Sequence, residues 1–598
     1  MDIWRRLKSD YVYIKGLLAI SATSKMLKAD GDLLVSDDLE EKFDQWPERV
    51  AFHFEGKDTT YAELESRANR FANWALCAGL EKGDCVALYM GNQPDYVAFW
   101  IGMLKVGMTC AMINNNLTGK GLAHCLDIVD AQTIVTTADL LENVATAKPH
   151  ASKRLQIWSL GGAVGDGALD MNALMGSVSD KRPERKYREG IKSGDIALYI
   201  YTSGTTGLPK AAKITHIRTI GFMRTFVPAC NITKEDRIYL TLPLYHATGG
   251  ICGVGSALQT GAAIILKDKF SASSFWSDAK KGAATMFVYI GEFGRYLMNQ
   301  PPSPAERDHK IVKAFGNGLR GDVWREITAR TGIEKIVEFY GSTEGNVSFI
   351  NLDSTPGAIG RVPPLLTFKM PVRLIKIDPV TEEPMRNEEG FCIDAEIGEP
   401  GEAIGPIKND DPRLRYDGYK DQKASEKKVL HDVFELGDNW FRTGDLLRRD
   451  KLNYFYFVDR LGDTYRWKGE NVSTNEVAEA VSSFEGIEIA NVYGVEVPGR
   501  EGRAGMAALT LDRQIDYAKF FEHVTAALPD YAVPIFLRIQ TQTDTTGTMK
   551  LKKVDLVKAG YDPSAITDEL YFRDEDARSY VPITPELFKD INSGKVRL

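Results

Sequence analysis

From about residue 45 onward, apolar strand patterns alternate with amphipathic helix patterns, and this constrains the fold more than any other feature of the chain. RVAFHFEG reads as a strand and AELESRANRFANWALCAGL as a helix. CVALYMGN is a strand followed by a helix over PDYVAFWIGMLKVG, and TCAMINNN, GKGLAHCLDIVD and AQTIVTTA continue the pattern. Apolar strands between helices imply parallel sheets covered on both faces. A second alternating run covers about 235–350, through DRIYLTLPL, ICGVGSALQTG, AAIILK, FWSDAKKG, ATMFVYI, IVKAFGNG and KIVEFYG. Residues 372–407 differ: VRLIKID, FCIDAEIG and EAIGPI are short strands between Pro, Gly and Glu turns, as in a small antiparallel barrel or sheet. After Asp459 a compact mixed pattern resumes, with helices NEVAEAVSSFEG and YAKFFEHVTAAL and strands ANVYGVEVPG and AGMAALTLD.

The charge balance narrows the function classes. With 82 acidic and 74 basic residues the 598-residue chain carries a formal charge of −8, so no bulk field draws it onto nucleic acid. The seven cysteines, an odd number with no Cys-x-x-Cys pair, read as reduced thiols in a reducing compartment, and no His-Glu-x-x-His spacing marks a structural metal. A cytoplasmic location is the expectation. The N-terminus, MDIWRRLKSDYVYIKGLLAISATSKMLK, starts basic and turns apolar, but Lys15 interrupts a run far below the roughly 18–20 residues of a membrane span. Two readings stand: an interfacial helix at the cytoplasmic face of a membrane, with Arg5, Arg6 and Lys8 on anionic headgroups, or a helix packed on the protein's own surface. No obligate protein partner is evident.

The sharpest local signal is IALYIYTSGTTGLPKAAKITH. An apolar strand runs into Thr202, Ser203, Gly204, Thr205, Thr206, Gly207, Leu208, Pro209 and Lys210. Two glycines let backbone N–H groups approach a bulky anion, four hydroxyls donate to phosphate oxygens, and Lys210 adds a point charge. The segment does not fit Gly-x-x-x-x-Gly-Lys-Ser/Thr, which disfavours a P-loop NTPase. AAKIT is strand-like and Thr215 reads as the cap of a later helix. A polyphosphate cradle between two strands is the functional reading; a Gly/Thr-rich surface hairpin is the plain one.

This segment resembles the phosphate-loop signature of the adenylate-forming superfamily, which contains acyl-CoA synthetases, luciferases and peptide-synthetase adenylation domains. The resemblance runs from TYAELESRANRFANWAL to Lys550. It implies an α/β protein whose large N-terminal domain, residues 1–460, holds two doubly wound αβα subdomains plus a small β-barrel. A small mobile α+β C-terminal domain, residues 461–598, follows, with a hinge near 460–463. It also implies ATP, Mg²⁺ and coenzyme A as cofactors. In Tyr340-Gly341-Ser342-Thr343-Glu344-Gly345 it places Thr343 on the α-phosphate and Glu344, with Thr205, on magnesium. In Trp440-Phe441-Arg442-Thr443-Gly444-Asp445 it places Asp445 on the ribose, with Arg460 as a second ribose and phosphate contact. In Asp544-Thr545-Thr546-Gly547-Thr548-Met549-Lys550 the family's lysine directly follows the glycine. Here two residues intervene, Lys550, Lys552 and Lys553 compete, and Lys550 is taken to bridge the attacking carboxylate and ATP.

One string points elsewhere. Gly316-Asn317-Gly318-Leu319-Arg320-Gly321 is a Gly-x-Gly-x-x-Gly after a strand and before a helix, with Glu338 22 residues beyond Gly316. Alone it would indicate an NAD-dependent dehydrogenase; in the resembling family the loop lines the adenine.

GNGLRGDVW, YDGYKDQKASEKK, DRLGDTYRWKGENVSTNEV and the tail ITPELFKDINSGKVRL resemble the fatty-acid transport protein / very-long-chain acyl-CoA synthetase branch. That resemblance implies an ATP-dependent fatty acid–CoA ligase acting through an acyl-adenylate and coupled to fatty-acid uptake. Alternatives are an acyl-AMP ligase and a CoA ligase for a bile-acid or aryl substrate. The segment 243–250, PLYHATGG, carries no acid to pair a substrate ammonium, and leaving one buried and unpaired costs several kcal/mol, so a neutral chain is the simpler substrate. His246 is placed near the acyl carboxylate or as a gate of the pocket; a core histidine with a backbone partner is the plain alternative. No Gly-x-Ser-x-Gly elbow supports a serine hydrolase.

Overall fold

A computed structural model describes residues 2–25, 27–162, 165, 167–202, 208–378, 381–468, 470–500, 502–543 and 551–598. The alternating runs form two large sheets in an α/β arrangement. In the first, Leu169–Asp170, Gln156–Leu160, Thr133–Thr137, Cys85–Tyr89, Thr109–Met112 and Ile196–Thr202 lie side by side in parallel, and Lys210–Thr215 folds back antiparallel on the last. In the second, Lys335–Gly341, Lys313–Asn317, Met286–Ile290, Arg237–Leu240, Ala263–Leu266 and Val50–Phe54 run parallel, and Ser348–Asn351 and Lys57–Thr60 close the two edges antiparallel. Val50–Phe54 thus leaves the run it belongs to in sequence and pairs with Ala263–Leu266.

The third unit is antiparallel and wider than residues 372–407. It joins Gly360–Arg361, Tyr454–Arg460, Asn439–Arg449, Gly401–Pro406 and Arg373–Ile375, with Val429–His431 on Asn439–Arg449. FCIDAEIG, expected as a strand, makes only isolated bridges, Arg386 with Cys392 and Ile375 with Asp394. Residues 465–591 build a separate core around a five-stranded sheet, from Ile487–Val495 through Ala504–Leu511, Phe536–Gln540 and Glu569–Asp574 to Ser579–Pro582. The main core of the large unit ends at Tyr454, so no residue is shared between the two. The side chains of Arg295 and Asn299 reach across to the Glu488 carbonyl at 3.3 and 3.1 Å.

The first helix, Asp2–Ser24, docks one face on the large unit. Tyr13 is fully buried, Ser9 hydrogen-bonds the Tyr454 hydroxyl at 2.6 Å, and the buried Arg361 pairs with Asp10 at 2.6 Å. The opposite face leaves Leu7, Tyr11 and Leu18 exposed at 54%, 66% and 63%, beside exposed Arg6, Lys8 and Lys15. The packed reading of this helix describes its docked face. No helix among the described residues is long and apolar enough to cross a membrane.

Candidate active site

Thr202 and Gly341 end parallel strands, with Thr343 and Glu344 just beyond Gly341, at the carboxyl side where open α/β sheets place their ligands, whereas Asp445 and Arg460 lie on the antiparallel unit. Thr202 ends its strand and pairs in register with Lys210, so the strands that flank residues 203–207 are antiparallel neighbours, and Thr215 caps the next helix by accepting from the Arg218 N–H. Ser203, Gly204, Thr205, Thr206 and Gly207 lie outside the described residues, as does Lys550. Lys210 holds its ammonium 5.5 Å over the Tyr419 ring.

Tyr419 bridges to Ala212 on the strand that follows the donor-rich segment. Burial, then the Glu344 charge, pushes the ionisation of its hydroxyl far up. The loop carrying Thr343 and Glu344 is pinned from the far side. Arg218 donates from one Nη2 to the Ser342 carbonyl at 3.1 Å and to the Gly345 carbonyl. A Cβ on Gly345 would overlap the Phe441 ring and the Ser342 hydroxyl, so only glycine permits this close approach. Glu344 is 6% exposed.

On the next strand pair, Asp445 faces Arg460 in register, with Arg460 Nε 3.6 Å from its Oδ1. Tyr340 donates its hydroxyl to Asp445 Oδ2 at 2.5 Å, tying the Tyr340–Glu344 block to the Asp445 strand; burial and the Asp445 charge hold that hydroxyl protonated. Gly341 closes the strand Lys335–Gly341 and pairs with Ser348. His246 precedes a π-helical turn, Ala247–Gly253, and is half-buried with its ring 4.5 Å from Tyr245. Within that turn Thr248 donates to the Asn317 side chain at 3.2 Å, so the 243–250 and 316–321 strings meet.

The glycine string at 316–321 has the strand–turn–helix context of a dinucleotide fingerprint but uses it differently. Glu338 is 1% exposed, accepts the N–H groups of Gly318 and Leu319, and binds the Tyr289 hydroxyl at 2.6 Å. Burial pushes its carboxyl up to about 8. A carboxylate spent on the turn's own donors cannot also reach a ribose. Gly316 has a structural reason, because a Cβ there would overlap the Tyr289 backbone and ring.

Of the competing lysines, Lys553 is engaged within the small unit, 2.7 Å from Thr474 Oγ1 and 3.5 Å from Asp463 Oδ2. Sequence reading assigned no role to Tyr419 or Arg218. Each comes from a loop or helix remote in sequence from the other candidate residues, and only YDGYKDQKASEKK carried any signal, for Tyr419. A single buried carboxylate, Glu344, fits the few-carboxylate coordination Mg²⁺ prefers when phosphate oxygens supply other ligands. Among the described residues no cluster of three or more His, Cys, Asp or Glu side chains competes for a metal.

Comparison with known proteins gives the family and the fold. Residues 39–395 match the model of the AMP-binding enzyme family. Long-chain fatty acid transport protein 6 of Mus musculus is 41% identical over 596 residues, covering 98% of this chain and 95% of its own. Long-chain fatty acid transport protein 2 of Rattus norvegicus is 43% identical over 559 residues, covering 92% and 89%. The fold matches the crystal structure of the anthranilate CoA ligase AuaEII in complex with anthranoyl-AMP, with TM-score 0.75, 19% identity and coverage of 90% and 98%. On the family match and on relatives above 40% identity along nearly its whole length, this chain belongs to the AMP-binding enzymes.

Proposed function

We propose that the protein is an ATP-dependent fatty acid–CoA ligase, a long- or very-long-chain acyl-CoA synthetase that works through an acyl-adenylate. The observation that carries this is the Tyr340 hydroxyl, which donates to Asp445 at 2.5 Å and so ties the strand that leads into Thr343 and Glu344 to the Asp445–Arg460 pair. It supports a metal-binding carboxylate and a ribose-binding carboxylate within one site.

In this reading the fatty acid's carboxylate oxygen attacks the α-phosphorus of ATP, and the bond to pyrophosphate breaks. Residues 202–210 hold the departing pyrophosphate. Asp445 accepts from the ribose hydroxyls, Arg460 contacts ribose and phosphate, and Thr343 donates to the α-phosphate. Glu344, with Thr205, would hold Mg²⁺, which neutralises phosphate charge when bound. Gly316, Asn317, Gly318, Tyr340 and Gly341 line the nucleotide. The small unit then turns about 460–463, where Gly462 already sits at φ +88° and absorbs backbone change easily. The CoA thiol attacks the acyl carbon of the mixed anhydride and AMP leaves. His246, at the lip of the π-helical turn, contacts the acyl carboxylate.

Two features favour a fatty acid. Segment 243–250 offers no carboxylate to an ammonium. The two relatives above are named long-chain fatty acid transport proteins. CoA attachment would trap the acid on the side where it is made. Steady-state acyl-CoA formation across a ladder of fatty acids, with benzoate and a bile acid beside them, tests the reading. Turnover rising with chain length supports it, and preference for an aryl or bile acid overturns the fatty-acid assignment.

Arg218 offers a sharp check. Its two carbonyl contacts place the loop that carries Thr343 and Glu344. Misplacing reacting groups by about 1 Å costs on the order of 10²-fold. Arg218→Ala is therefore expected to lower adenylation kcat by about 10²-fold, with Arg218→Lys between it and the parent. Unchanged kcat in a burst experiment would remove Arg218 from the site.

The outer face of the Asp2–Ser24 helix supports peripheral contact with the cytoplasmic face of a membrane. Exposed Leu7, Tyr11 and Leu18 fall on one side of the helix and basic side chains flank them, the pattern of an interfacial helix. Flotation with anionic vesicles is expected for the parent chain and lost in a Leu7→Asp, Leu18→Asp double variant; equal flotation of both would refute the contact.

A further inference from the structure

Lys428 stands immediately before the strand Val429–His431, and its ammonium donates to the Thr443 carbonyl at 2.9 Å. That carbonyl lies two residues before Asp445. Between them Gly444 adopts φ +78°, and a Cβ there would stand 3.2 Å from Lys428 Nζ, so the glycine leaves the ammonium its space. A lysine ammonium has three donors, and only one is spent on Thr443.

The carboxylates acting on Lys428 are those of Glu344, Asp445 and Glu402; burial outweighs them and pulls its ionisation below the ordinary lysine range. Glu402 is already engaged, since Arg442 donates to it at 2.9 Å and the Gly444 N–H at 2.9 Å. The other two carboxylates whose charge acts on Lys428 are Glu344, assigned to the metal, and Asp445, assigned to the ribose. Any nucleotide that places its ribose on Asp445 and its phosphate-bound metal on Glu344 must pass its α-phosphate between them, because the 5′ carbon connects the two. Lys428 Nζ, 2.9 Å from the carbonyl two residues before Asp445, stands at the ribose end of that path with donors to spare.

We propose that Lys428 donates to a non-bridging oxygen of the α-phosphate, as a cation fixed on the large unit. This rests on the nucleotide placement given above. The adenylation lysine is assigned to the small unit, whereas Lys428 keeps its position relative to Asp445 in both half-reactions. It would offset charge on the phosphorus centre when pyrophosphate leaves, and again on the phosphate of AMP when the thiolate displaces it.

The test compares AMP with adenosine, which differ by the phosphate alone, by calorimetric titration of the full-length protein without metal. Lys428→Ala is expected to weaken AMP about 10- to 100-fold, the range of a lost charge-assisted hydrogen bond, and to leave adenosine unchanged. Lys428→Arg should recover most of the AMP affinity. Equal weakening of both ligands would show that Lys428 only packs the Asp445 strand, and unchanged AMP affinity would show that it misses the phosphate; either overturns the proposal. Asp445→Asn run alongside separates the two levels. If it weakens adenosine while Lys428→Ala leaves AMP untouched, only the lysine proposal fails; if adenosine binding ignores Asp445→Asn, the ribose assignment fails first.

Discussion

Lys550→Ala is expected to slow acyl-adenylate formation by about 10²–10³-fold, or roughly 3–4 kcal/mol of transition-state stabilisation, the scale for losing one preorganised charge donor. The same variant should convert pre-made acyl-adenylate and CoA to acyl-CoA near the parent rate. The split follows from the proposed geometry: a lysine on the small unit meets the reacting phosphate in one orientation and is withdrawn in the other. Lys553→Ala is the control. Its ammonium is committed to Thr474 and Asp463, so its loss should loosen the small unit without separating the half-reactions. Single-turnover quench measurements of both variants, with ATP and with synthetic adenylate, decide it. If Lys550→Ala makes adenylate at the parent rate, or if Lys553→Ala shows the split, the lysine is misassigned.

Lys105→Met is expected to destabilise the large unit by about 3–5 kcal/mol, the cost of removing one partner from a buried ion pair. Lys105 is 0% exposed and donates to Glu40 and Glu65, each at 2.8 Å. Arg188 reaches the other Glu40 oxygen at 2.6 Å and Asp37 at 2.8 Å, and Arg182 reaches Glu65 at 2.9 Å. This network ties the helices Val35–Gln45, Tyr61–Cys77 and Pro94–Lys105 behind the first sheet. Without Lys105 the arginines still cover part of Glu40 and Glu65, yet the charge at their shared contact is left uncompensated in an apolar core. Against a typical total stability of about 5–15 kcal/mol, such a loss is large. Urea unfolding followed through the buried Trp74 and Trp100 should show it, with a Lys105→Met, Glu65→Gln double variant regaining part. A loss under about 1 kcal/mol would place the network among weak surface pairs.

The strand–helix alternation was legible because period-2 and period-3.6 patterns are local. Pairing between distant strands was not: nothing in RVAFHFEG announces that it will cross to Ala263–Leu266, because its burial pattern suits either sheet. The third unit was underestimated for a similar reason. Gly401–Pro406 finds its partner in Asn439–Arg449, some forty residues on, and short strands between turns do not show which others they join. The chemistry-bearing strings were readable as strings, and the hairpin on either side of residues 203–207 and the cap at Thr215 follow from their residue types. Tyr419, Arg218 and Lys428 were not readable, since each acts through one side chain from another element. The glycine string at 316–321 was readable in two ways, and what separates them is the buried use of Glu338.

The most direct measurement is exchange of labelled pyrophosphate into ATP, driven by a long-chain fatty acid in the absence of CoA, followed by a CoA chase. Two-step chemistry through an acyl-adenylate predicts exchange that needs the fatty acid and Mg²⁺ but no thiol, and then a burst of AMP and acyl-CoA when CoA is added. Exchange that appears only with CoA present, or none with any fatty acid, would contradict it.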